Sequence, residues 1–108
     1  MFGRKFFENY ESGRVVTLLA TATLKARDNV VMVDTSAGEV TLTLPPVSEC
    51  AGLFFSISLI AGETTSCNVQ DQDDSRDWNG DYDLNATADR ILLYSDGTHW
   101  WDLDNQIA

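Results

Sequence analysis

The stretch Val40-Thr41-Leu42-Thr43-Leu44-Pro45-Pro46 constrains what this 108-residue chain can fold into more than any other. Three apolar side chains alternate with hydroxyls, Glu39 extends the polar phase, and two prolines follow. A period of two puts Val40, Leu42 and Leu44 on one face of a strand. Neither proline has an N–H to give to a ladder, so the strand stops at Pro45. Upstream, Val30-Val31-Met32-Val33 is a run of β-formers, and Asp34 to Gly38 is a five-residue turn segment. The expectation is a β-hairpin with one buried and one wet face, around which the rest of the chain is organised.

Other segments read the same way. Val15 to Leu19 is a strand candidate, with Thr21, Thr23 and Leu24 continuing it or forming a second edge strand. A helical turn over Leu18 to Lys25 competes, but the threonines argue against it. Asp28-Asn29 turns into the hairpin. Phe54 to Ile60 is the most apolar segment, with Phe55, Ile57 and Leu59 on one face and Ser56 and Ser58 on the other, which suits the centre of a sheet. Ala61 to Thr65 is a turn, and Cys67 to Gln70 a short returning strand. Ile91 to Tyr94, a Ser95-Asp96-Gly97-Thr98 turn in which Gly97 takes positive φ, and His99 to Leu103 form a closing hairpin. Asp104 to Ala108 reads as a short, exposed tail. Trp100 and Trp101 must point to opposite faces; the phase of Leu103 favours Trp101 in the core. About eight short antiparallel strands result, arranged as a β-sandwich or a small jelly-roll-like barrel. The division is an N-terminal docking arm at 1–13 and a β-sandwich domain at 14–108.

Charge divides unevenly. Residues 1–27 hold five basic and two acidic side chains, a balance of +3, while 28–108 hold two basic and fifteen acidic, a balance of −13. Phosphate backbones repel such a body, so no nucleic acid partner is expected. No apolar run reaches the length of a membrane span, and the N-terminus lacks a basic-then-apolar leader pattern, so no membrane partner is expected either. Cys50 and Cys67 lack Cys-x-x-Cys spacing and read as two free buried thiols. The arm is different: Phe2, Phe6, Phe7 and Tyr10 stand beside Arg4 and Lys5. Aromatics with Arg mark interface cores, so Phe2, Arg4, Lys5, Phe6, Phe7 and Tyr10 are expected to dock on a neighbouring chain.

Catalytic signals are sparse. His99 is the only histidine, no serine has a Gly-x-Ser-x-Gly context, and the glycines are scattered over turns. Carboxylates are so many that a pair can always be chosen, so no pair is informative. Asp71 to Asp83 holds six aspartates, but setting Gly80 as the sixth residue of a calcium loop puts Ala86 at the twelfth, where a bidentate Glu belongs. A solvated acidic loop with Trp78 tucked inward is the reading. No enzyme, metal or cofactor is expected. A receptor- or carbohydrate-binding module is the alternative, with Trp78, Tyr82 and Trp101 as stacking platforms or as subunit contacts.

Val33-Asp34-Thr35-Ser36-Ala37-Gly38-Glu39-Val40-Thr41-Leu42-Thr43-Leu44-Pro45-Pro46 resembles a small β module of many bacteriophage virion proteins. Gly52-Leu53-Phe54-Phe55-Ser56-Ile57 is similar to the strand after its prolines, and Ile91 to Trp101 to its closing hairpin. The likeness covers about residues 30 to 103. It implies a virion structural protein with Trp100 inward, and trimers of such modules. Within that class the expectation is a capsid decoration, or cement, protein on the capsid surface that bridges major capsid subunits as a homotrimer. A tail fibre or spike module binding a host receptor or carbohydrate is the alternative.

Overall fold

A computed structural model describes residues 15–62, 65–75 and 82–107. Among the described residues, nine strands fall in two sheets: β1 (Val15–Leu18), β2 (Ala22–Thr23), β3 (Val30–Asp34), β4 (Val40–Thr43), β5 (Phe54–Ala61), β6 (Cys67–Gln70), β7 (Tyr82–Leu84), β8 (Arg90–Ser95) and β9 (Trp100–Gln106). The five-stranded sheet has the order β1-β3-β5-β8-β9, the four-stranded sheet β2-β4-β6-β7. The result is a β-sandwich, and the sheets do not close into a barrel.

The strands of the Val30 to Leu44 stretch form where expected, but they do not pair with each other. β3 lies in one sheet and β4 in the other. The intervening turn is therefore an arch across the sandwich, not a hairpin. Val31 and Val33 face Val40 and Leu42 across the core, and all four are buried. Each arch carries the chain to the opposite sheet and the next connection brings it back, so successive strands within a sheet run parallel. β1 with β3, β2 with β4, β3 with β5 and β4 with β6 are parallel pairs. The antiparallel expectation holds only for β5 with β8, β6 with β7 and β8 with β9. Cys67 to Gln70 accordingly returns in the opposite sheet from β5.

Stacked arches are joined at Thr35. Its N–H donates to Ala61 O at 3.0 Å and its hydroxyl to Gly62 O at 2.7 Å, while its carbonyl accepts from the Thr65 hydroxyl and from Gly38 N. Thr35 is buried, so these bonds satisfy polar groups that water does not reach. Asp34 opens the same turn by accepting from Ser36 N at 2.8 Å.

The core is the inner face of both sheets, with Phe55, Ile57, Leu59, Leu42, Val69, Leu84, Ile91 and Leu93 fully buried. Each such side chain is worth roughly 1.5–3 kcal/mol of burial. Trp100 is inside, its ring 5.4 Å from Phe55 at 78°, and Trp101 is outside. The phase of Leu103 misleads because Leu103 itself is exposed, on the outer face with Trp101. Pairing shifts from Leu93↔Asp102 to Leu92↔Asp104, so Leu103 is the extra residue of a bulge. That bulge lets β9 run on to Gln106, and Asp104 to Gln106 are strand, not free tail. Cys50 and Cys67 are free and buried.

Gly62 provides a direct test of the arch stack. It sits at φ +98°, and a Cβ there would stand 2.2 Å from Thr35 Oγ1 and 2.5 Å and 2.6 Å from Thr35 and Ser36 backbone atoms. Gly52 also has positive φ, +85°, but open space around it. Gly52→Ala is expected to cost about 1 kcal/mol in denaturant unfolding, and Gly62→Ala about 3 kcal/mol or more. Equal losses would mean that the arches do not press on each other at this point.

Candidate docking face

The outer faces of the two sheets differ in kind. On the four-stranded sheet, Thr41, Thr43, Asn68, Gln70 and Asp83 alternate with the core residues. They bond to one another: Gln70 Nε2 donates to Thr43 Oγ1 at 3.1 Å and Asn68 Nδ2 to Asp83 Oδ1 at 2.8 Å. The five-stranded sheet turns Phe54, Ile60, Val30, Met32, Trp101 and Leu103 to solvent. Phe54 and Trp101 are 50% and 46% exposed, high values for large aromatic rings.

Register builds a row from these residues. Phe54 pairs with Tyr94 on β8, and Tyr94 with Trp101 on β9. The Phe54 and Tyr94 rings lie 4.9 Å apart at 50°. The next outward row is Val30, Ser56, Leu92 and Asp104, and the one beyond it Met32, Ser58, Arg90 and Gln106. An apolar end therefore grades into a mixed one.

Trp101 is held in place by the β8–β9 turn. Asp96 Oδ2 accepts from Trp101 Nε1 at 2.9 Å, and Oδ1 accepts from Thr98 N at 2.8 Å, Thr98 Oγ1 at 3.0 Å and His99 N at 2.7 Å. The indole N–H, followed by the Thr98 and His99 groups, holds the Asp96 carboxyl well below the usual carboxylate range. His99 stacks on Trp101 with ring centroids 5.3 Å apart at 29°, and its Nδ1 lies 3.4 Å from Asp96 Oδ2. The lone histidine is part of this clamp. Gly97 takes φ +98°, as the turn requires.

Of the residues singled out from sequence, Trp101 belongs to this face. Tyr82 does not: it sits on β7 opposite Val69 and packs against the core. Burial, and then its hydrogen bond to Asp102, push the Tyr82 phenol up to about 12. Tyr82 and Trp101 are thus not one platform. Phe2, Arg4, Lys5, Phe6, Phe7, Tyr10 and Trp78 lie outside the described residues. So do residues 76–81 of the aspartate-rich stretch; in its described part, Asp74 Oδ2 accepts from Val47 N at 2.9 Å and Asp71 Oδ2 from Ser75 N at 3.2 Å. Among the described residues no group of three or more His, Cys, Asp or Glu is placed to hold a metal. Among them, too, no helix is long and apolar enough to cross a membrane.

Phe54, Tyr94 and Asp96 were not singled out from sequence. A signal existed for Phe54, which shares the parity of Ser56 and Ser58 and so belongs to the wet face. For Asp96 it was the Asp-Gly-Thr turn, whose carboxylate bonds its own backbone two residues on. In comparisons with known proteins, no family model matches the chain and no curated protein matches it.

Tyr82 has an alkaline consequence. Its phenol is raised from 10 to about 12, so the folded chain holds the proton more tightly than the unfolded chain. The stability this contributes is present below pH 10 and is lost as pH rises through 12. Cys67, pushed up by burial to about 12 from 9, acts in the same direction. Unfolding midpoints are expected to fall between pH 9 and 12, and Tyr82→Phe to flatten the upper part of that fall. An unchanged pH profile in Tyr82→Phe would remove Tyr82 from this account.

Proposed function

We propose that this chain is a virion structural protein, a capsid decoration protein that stabilises a phage head by bridging neighbouring major capsid subunits. The observation that carries the reading is the in-register aromatic row of Phe54, Tyr94 and Trp101, set outward on one sheet of an acidic β-sandwich. An outward apolar row of this kind marks a surface made to meet protein. The resemblance of Val33 to Pro46 and of Ile91 to Trp101 to phage virion modules supplies the setting. A homotrimer engages several shell subunits at once, and linked weak contacts act at high effective concentration. Packaged DNA pressing outward then has to break these added contacts before the shell opens.

One observation favours the tail fibre or spike reading: Trp101 is pre-oriented by Asp96, as in a ligand platform. The 50° tilt between Phe54 and Tyr94 departs from the flat surface that sugar rings stack on, and suits an irregular protein partner better.

Cryo-electron microscopy of particles carrying the chain, with copies of the Phe54→Asp/Trp101→Asp variant added in competition, tests the proposal. Density is expected over the head in threefold clusters with the Phe54 row against shell protein. The variant, folded by circular dichroism, should occupy at most about a tenth of the sites, since losing two aromatic anchors costs on the order of 2 kcal/mol or more. Density confined to the tail would overturn the head reading and promote receptor binding.

A further inference from the structure

Two polar atoms inside the sandwich stand outside its hydrogen-bond network. Trp100 Nε1 and Asp102 Oδ1 are sealed from the surface, and neither has a partner among the described residues. Trp100 as a whole is 3% exposed. A buried donor or acceptor without a partner costs folding free energy, and protein interiors avoid it. One atom is a donor, the other an acceptor, and both belong to β9.

Register brings the two side chains to one face. Trp100 pairs with Ser95 and Asp102 with Leu93, both buried, so these side chains turn inward while Trp101 turns out. Their Cα atoms are about 6.6 Å apart, two residues along an extended strand. The Trp100 ring meets Phe55 edge-on at 5.4 Å, and Phe55 stands in the same cross-strand row as Leu93 and Asp102. The indole therefore leans along β9 toward the carboxylate. From the other sheet, the Tyr82 phenol on β7 bonds to the same carboxyl group. Asp102 Oδ2 accepts from Asn105 Nδ2 at 2.6 Å, and Trp100 N donates to Ser75 Oγ at 2.8 Å. These bonds position both residues and leave one indole donor and one carboxylate acceptor on the inner side of β9.

Whatever joins the two atoms must accept from an N–H and donate to a carboxylate oxygen. A metal ion or an ammonium group cannot accept, and a chloride ion cannot donate. A hydroxyl-type group does both, and because the two atoms are sealed off the smallest such molecule is the one that fits. A water with two bonds of about 2.9 Å links partners up to about 5.8 Å apart, a separation that inward side chains two residues apart on a strand provide. Buried waters of this kind occur about once per 27 residues and make two to four hydrogen bonds.

We infer that one water molecule is bound inside the sandwich as a fixed ligand, accepting from Trp100 Nε1 and donating to Asp102 Oδ1. It hydrates an inward carboxylate on an edge strand of the five-stranded sheet and ties the indole to it. An inward charge keeps an edge strand from pairing with a foreign one, and the water lowers the cost of burying that charge. This site stands whether or not the chain acts on a capsid.

The test is a water-selective nuclear Overhauser measurement on the 15N-labelled full chain. The Trp100 Nε1–H resonance, assigned by its loss in Trp100→Phe, is expected to show a cross-peak of the sign that long-resident water gives. Trp101 Nε1–H, bonded to Asp96 at the surface, should show none of that sign. Tyr82→Phe should keep the Trp100 cross-peak, which separates water from proton exchange through the phenol. Asp102→Asn retains an acceptor and should keep it too, whereas Asp102→Leu should lose it. Absence of the cross-peak from the unaltered chain would overturn the inference, whatever the leucine variant does to folding. So would a cross-peak that survives Asp102→Leu or vanishes in Tyr82→Phe, or a crystal structure with a protein group at bonding distance from Trp100 Nε1.

Discussion

Thr35 holds neighbouring arches of the sandwich together, and the rest of the architecture follows from that junction. Its buried hydroxyl and N–H bond to the turn after β5, and the next arch answers through Thr65. Leaving one of these groups buried without a partner would cost about 1–3 kcal/mol. The chain therefore has a strong reason to keep the two turns stacked. Stacked turns force β3 beside β5 and β4 beside β6, all parallel. Gly62 is the steric half of the same arrangement, since no side chain fits between the turns. Beyond the three stacked arches the sheets are extended by antiparallel strands: β7 beside β6 and, after one more crossing, β8 and β9 beside β5.

This explains what could be read from sequence and what could not. The alternation of Val40, Leu42 and Leu44 shows which side chains are buried, and those three are. It is silent on which strand lies alongside, because an arch and a hairpin impose the same period of two on each strand. The turn from Asp34 to Gly38 also looks alike in both. What separates them is a buried Thr35 bonded to a turn about 27 residues away, a long-range fact no local pattern contains. The hairpin of Ile91 to Trp101 was legible because its determinants are local: Asp96 bonds within its own turn, and Gly97 supplies the positive φ. The phase argument fails for Trp100 and Trp101 because it puts Leu103 in the core, whereas Leu103 belongs to an apolar outer face.

The two outer faces explain why such a face went unread. On the four-stranded sheet, threonine, asparagine and glutamine fill the wet positions, as half-buried strands ordinarily require. On the five-stranded sheet, Phe54, Met32, Val30 and Trp101 occupy the same kind of position. Each alone is unremarked in a sequence, since single exposed apolar residues are common. They become a surface only through register, which sets Phe54, Tyr94 and Trp101 side by side from three separate segments.

The Asp96 clamp gives that surface its character. A side chain that is mobile before binding loses about 0.5–1.5 kcal/mol in being fixed, and an exposed tryptophan would ordinarily bear such a cost. Here the indole N–H is bonded to Asp96 and the ring stacked on His99 without any partner. Most of the ordering is thus completed by folding, so contact with Trp101 returns a larger share of its burial as affinity. The carboxylate responsible titrates well below its usual range, so the clamp persists under mild acidity and loosens only when Asp96 takes up a proton. A rigid aromatic ring beside the tilted Phe54–Tyr94 pair makes an uneven, preshaped surface, which discriminates by shape among partners that a flexible greasy patch would accept alike.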